Sequence, residues 1–202
     1  MKLLRNIKKR ILYCAMDKKL KKYIQRYDLI EDCQSYELIP NGGMIVIINQ
    51  ADNCEVIIEN HSFAVESFQA LLINAYEESV VIQSDEVLNL MAVRFRGAGA
   101  SFFYEELMDE LMHRPKEPIF IEKNILESDI ESYLKNRFKP SQLPFNIMKI
   151  IDLLDEQGSD YIIEEILAIA NIPRKVFDKM FNLRVGLSFK TYAAVKERAT
   201  LE

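Results

Sequence analysis

The apolar positions of this chain change period twice. Over residues 2–27, Leu3, Leu4, Ile7, Ile11, Leu12 and Ala15 recur at three- and four-residue steps with Lys and Arg between them. Leu20, Ile24 and Tyr27 continue the series, and this spacing predicts a helix. From Tyr36 to Phe95 the apolar runs become short and bounded by turn residues. Strands are predicted at 36–39, Met44–Asn49, Glu55–Glu59, Phe68–Ala75, Ser79–Gln83 and Asn89–Phe95. The run Met44–Asn49 (MIVIIN) has no polar alternation, as in a strand covered on both faces. Short strands at regular spacing point to a barrel or sandwich.

After Phe95 the helical period returns. Arg96-Gly-Ala-Gly-Ala reads as a loop, tight enough for a turn or for close approach of backbone to a ligand. Helices are predicted at 100–112, 124–138, 145–157 and 161–170, with a linker between Pro140 and Pro144. Asn171-Ile172 breaks the pattern, and Pro173 suits the first turn of another helix running to about Arg184. Gly186 ends it, and Ser188 begins a last helix. The fold class expected is α+β. A β-barrel domain with flanking helices would span 1–139, and an all-α unit 145–202.

Charge sharpens this division. Residues 1–27 hold ten Lys/Arg against Asp17 alone, residues 28–171 nine basic against 27 acidic side chains, and residues 172–202 seven against three. A polyanion would therefore be met at the chain's ends. The basic segment 2–27 suits contact with a membrane surface or nucleic acid, and equally a solvated helix face. No apolar run approaches the roughly 20 residues of a membrane span. Three cysteines without a CxxC pair fit free thiols in a reducing cytoplasm.

Helix, short break, helix, Gly and a further helix is the layout of a helix-turn-helix. Residues 162–198 resemble the first helix-turn-helix of AraC-type bacterial transcription regulators. Phe177 holds the recognition helix's apolar position, Lys179 stands where Arg is usual, and Phe181 follows. Val185-Gly186-Leu187-Ser188 and Tyr192 complete the likeness. Phe177, Phe181 and Val176 are expected to pin this helix to its predecessor. Arg174, Lys175, Lys179 and Asn182, with Arg184 and Lys190, are then the expected contacts to bases and phosphates of double-stranded DNA. Departures are Pro173 in place of a capping Ser, Leu167 in place of a small Ala, and Asp178 among the outward residues. The family joins two such units by a long helix, and only the first is matched. A terminal Leu201-Glu202 also suits an expression-vector junction.

A second resemblance covers about residues 20–120. Tyr23-Ile-Gln-Arg-Tyr, the segment from Tyr36 through Pro40-Asn-Gly-Gly to Asn49, and Ala92–Gly99 look like the cupin-like sensor domain found ahead of AraC-type modules. It implies a barrel used for small-molecule effector binding or homodimerisation. His61 and His113 form no metal-ligand set, and no phosphate loop or nucleophile motif is present. No cofactor, metal site or catalytic activity is therefore expected. The alternative expectation is a non-enzymatic ligand-binding or protein-interaction module with a degenerate helix-turn-helix.

Overall fold

The computed structural model describes residues 17–121, 129–140, 142–157 and 163–200. Residues 1–16, most of the predicted basic helix, lie outside them. Among the described residues nine strands form two antiparallel sheets: β1 (Ile24–Glu31), β2 (Ser35–Leu38), β3 (Ile45–Asn49), β4 (Cys54–Ile58), β5 (His61–Val65), β6 (Ala70–Ile73), β7 (Val80–Gln83), β8 (Asn89–Phe95) and β9 (Ile119–Ile121). One sheet has the order β1-β8-β3-β6-β9, the other β2-β7-β4-β5. The helices are α1 (Met108–His113), α2 (Ile130–Arg137), α3 (Ile147–Gln157), α4 (Ile163–Ala170), α5 (Arg174–Val185) and α6 (Phe189–Thr200). The fold is α+β, an N-terminal unit of two antiparallel sheets followed by helices.

The five-stranded sheet separates two cores. Ile45, Ile47, Leu71, Ile73, Leu90 and Ala92 point towards the other sheet and meet Leu38, Val56, Val65 and Ile82. Val46, Ile48, Leu72, Val93 and Phe95 point the opposite way and join Ile150, Ile151, Leu154, Phe177, Phe181 and Tyr192. Both faces of β3 are thus covered, which explains its unbroken apolar run.

The helix expected over residues 2–27 gives way to a 3-10 turn at Leu20–Lys22 and to β1. The three-residue step from Ile24 to Tyr27, which suggested a helix, has another cause. In a regular strand these residues would face opposite ways. A register shift between Ile24 and Arg26 inserts a bulge, and both side chains enter the helix-side core.

The helix expected over 100–112 is also corrected. Residues Gly97–Phe102 and Glu105–Leu107 form 3-10 turns, and α-helix begins only at Met108. Phe102, Phe103 and Tyr104 are consecutive and all buried, which one face of a regular helix does not allow. The tight approach at the glycines is to the chain itself: a Cβ at Gly99 would lie 2.1 Å from the Tyr23 carbonyl oxygen. Strands β5 and β9 were not predicted, and β6 is shorter than expected.

The barrel interior holds a charged pair. Arg94 Nε donates to Asp28 Oδ2 at 2.6 Å, and its NH1 donates to the Ile39 carbonyl at 2.7 Å. Arg26 Nε lies 2.9 Å from Asp28 Oδ1 without hydrogen-bond alignment. Asp28 and Arg94 are both buried. Cys54 is buried in the same core, where desolvation pushes its thiol up to about 11.

Two predictions follow from these cores. Arg94→Leu should cost about 3–5 kcal/mol, because Asp28 would keep a buried charge with only Arg26 nearby; urea unfolding measures it. Burial also raises the Tyr104 and Tyr192 phenols well above their ordinary range. They stay neutral in the folded chain while unfolded tyrosines ionise near pH 10. Stability is therefore complete below about pH 10 and falls above it. Tyr192→Phe should make that fall shallower between pH 9 and 11 in urea midpoints.

Candidate nucleic-acid interface

The candidate site is built by α4, a three-residue turn and α5. Asn171 turns the chain at φ +53°, a left-handed conformation that Asn tolerates, and its N–H donates to the Leu167 carbonyl at 2.8 Å. Pro173 is the N-cap and has no side chain to cap with, but its carbonyl accepts from Val176 and Phe177 at 2.9 and 3.0 Å. At the other end Gly186 adopts φ +87°. A Cβ there would also lie 1.9 Å from Asn74 Oδ1. The helix end is therefore shaped both by backbone conformation and by contact with the barrel.

The inner face of α5 is aromatic. Phe177 lies 5.6 Å from Phe181 and 5.6 Å from Phe189, and Phe181 meets Tyr192 edge-on at 5.7 Å. Such ring pairs contribute about 0.5–1.5 kcal/mol each beyond their buried area. Val176, expected inside, is 41% exposed; Val185 takes the third inward position. Val185 lies four residues beyond Phe181, whereas Val176 precedes Phe177 and is turned about 100° away from it.

The expected DNA-contacting residues divide accordingly. Lys175, Lys179 and Asn182 fall at four- and three-residue steps, which places them along one stripe of α5. The two lysines are exposed and Asn182 is half-buried. Arg174 is exposed and shares its charge with Asp178, 3.6 Å away. Lys190 is exposed near the start of α6. Arg184 departs from the expected outward set: its side chain is 13% exposed, and NH2 donates to Glu105 Oε1 at 2.6 Å. It ties α5 to the 3-10 turn beside α1. Val176 was missed as an outward residue, and a methyl-rich side chain between two lysines suits contact with a thymine methyl.

The helical unit is held on the barrel by more than Arg184. Arg96 NH2 lies 2.8 Å from Asp152 and 3.0 Å from Asp155. Asp155 Oδ1 also accepts from the Tyr192 hydroxyl at 3.3 Å and pairs with Lys196 at 2.9 Å. Partial burial pulls the pKa of Arg96 down, but the hydrogen bonds and charges of the two carboxylates together outweigh it and raise the pKa.

No protein-family model and no curated protein matches this chain by sequence. Solved structures do match its fold. An apo form of a single-substitution variant of ToxT from Vibrio cholerae aligns at TM-score 0.50 and 9% identity, over 87% of this chain and 80% of that one. ToxT bound to (E)-4-(8-methylnaphthalen-1-yl)but-3-enoic acid aligns at TM-score 0.49 and 12% identity, over 87% and 81%. A cupin-2 domain protein from Shewanella frigidimarina aligns at 0.35 and 10% identity, over 46% and 85%. No helix among the described residues is long and apolar enough to cross a membrane.

Arg184→Ala should lower stability by about 1–2 kcal/mol, since it removes a charge-assisted hydrogen bond from a largely buried group. Lys175→Ala, fully on the outside, should stay within about 0.5 kcal/mol of the parent chain. Thermal unfolding of the two variants side by side checks the contrast.

Proposed function

We propose that this chain is a DNA-binding transcription regulator of AraC type, acting in the bacterial cytoplasm. Its barrel senses a small molecule or forms a homodimer, and it has no catalytic role of its own. The observation that carries the reading is the helix-turn-helix itself. Phe177, Phe181 and Val185 anchor α5, while Lys175, Val176 and Lys179 are left exposed on it and Asn182 is half-buried at the end of the same stripe. Lysine suits phosphates, and Asn pairs with the adenine edge. The fold shared with ToxT, in which a β unit is likewise followed by helices, leaves room for the function that the sequence resemblance at residues 162–198 implies.

A second reading has an observation of its own. Arg174 is paired with Asp178 on the surface meant to meet phosphates, and residues 145–202 carry nine acidic against eight basic side chains. In that reading the helices are a protein-interaction surface and the motif is degenerate.

Selection from a random-sequence duplex library, followed by titration at several salt concentrations, separates the two. The regulator enriches a defined sequence, and Lys179→Ala reduces the log-affinity against log-salt slope by about 1. Asn182→Ala leaves the slope unchanged but relaxes preference at one base pair, by about 1–3 kcal/mol. A flat salt response and no enriched sequence support the interaction module.

A further inference from the structure

A cleft of about 550 Å³ opens between the barrel and the helix-turn-helix. Its floor is apolar: Met44, Met108, Leu111 and Leu187 line it and all are buried. The helical wall offers Asn182, Ser188 and Thr191, which are neutral hydrogen-bonding groups. The barrel-side rim carries Glu59, Glu77 and Glu78, and among the described residues Lys116 is the sole Lys or Arg that lines the cleft. Lys116 Nζ lies 2.5 Å from Glu59 Oε2, so its charge is answered within the wall. Glu77 and Glu78 are exposed and make no ion pair among the described residues. Three carboxylates against one ammonium leave the rim negative above an apolar floor.

We propose that this cleft is the effector site and that its ligand is a small amphipathic cation, an amine or guanidine on an apolar body. The inference deepens the sensor reading above and rests on it. An acid of the same shape would bring its carboxylate to Glu77 and Glu78 and meet only an ammonium already held by Glu59. A cation there gains the exposed carboxylates of Glu77 and Glu78, the second of which also acts on Lys116 without an ion-pair contact, while its apolar body covers the floor. Met44 and Met108, with Met112 at the edge, adapt to a flexible chain because the thioether side chain is unbranched and polarisable. The walls come from both parts of the molecule, so a bound cation touches the barrel and the turn after α5 together.

The test uses three probes with the same eight-carbon body: octylammonium, 1-octanol and octanoate. Each is titrated into the full chain near pH 7.5 by calorimetry, with the methionine methyl resonances followed by NMR. Octylammonium should bind about tenfold or more tightly than octanoate and shift the methyls of Met44, Met108 and Met112. A tenfold ratio is the scale that two exposed carboxylates provide. The double variant Glu77→Gln/Glu78→Gln changes only exposed side chains and should remove most of the preference. Met112→Lys, also at an exposed position, should invert it.

Octanoate binding as tightly as octylammonium overturns the proposal. So does the absence of methionine shifts with every probe, or a preference that survives the double variant. DNA binding is measured on the same samples. Cation binding by a chain that selects no DNA sequence overturns the regulator reading alone. Sequence-selective DNA binding by a chain indifferent to octylammonium overturns the cleft proposal alone.

Discussion

Burial of both faces of the five-stranded sheet is the constraint from which the rest of the architecture follows. A strand covered on one side alternates polar and apolar residues; β3 does not alternate, and all five of its residues are buried. Its second face exposes Val46 and Ile48 beside Phe95 and Leu72, apolar area that water would not leave uncovered. The Gly97–Phe102 turn, α3 and α5 cover it. The DNA-reading candidate is therefore placed by the packing needs of the sheet as much as by its own helix-turn-helix.

Strand positions in the barrel were legible because turn chemistry brackets them. Pro40-Asn41-Gly42-Gly43 and Asp52-Asn53 punctuate apolar runs, and β8 falls on the predicted residues. The errors have a common origin. Sequence period reports which residues face one way and says nothing of the backbone that achieves it. Ile24 and Tyr27 share a face through a strand bulge, which period alone cannot distinguish from a helix. Phe102-Phe103-Tyr104 kept its helical appearance, yet only a broken 3-10 path buries three neighbours together. β5 was missed because only Val65 of its five residues is buried, and β9 because Ile119-Phe120-Ile121, though apolar, is a run of only three residues with none fully buried.

The candidate interface was legible to the same degree. Phe177 and Phe181 fix the inner face of α5 by spacing, and Lys175 and Lys179 follow on the outside. Val176 and Arg184 could not be placed from α5 alone. Arg184 has its partner at Glu105, far away in sequence, and Val176 is outside because Val185, not Val176, completes the inward row. The cleft was invisible for a similar reason: its acidic rim belongs to turns near β4 and β7, and its neutral wall to α5 and α6.

Asp155 shows what this continuity implies. One carboxylate accepts from the glycine-turn arginine Arg96 and from Tyr192, and pairs with Lys196, so three stretches of chain meet at one oxygen pair. A helical unit held in this way is not a detachable cassette. Grafted onto another barrel, it would bring Asp155 without Arg96 and Ile151 without the glycine, Gly97, on which it packs. Sequence drift on either side is thereby tied to drift on the other, and the two halves are expected to evolve as one inherited surface rather than as parts shuffled between proteins.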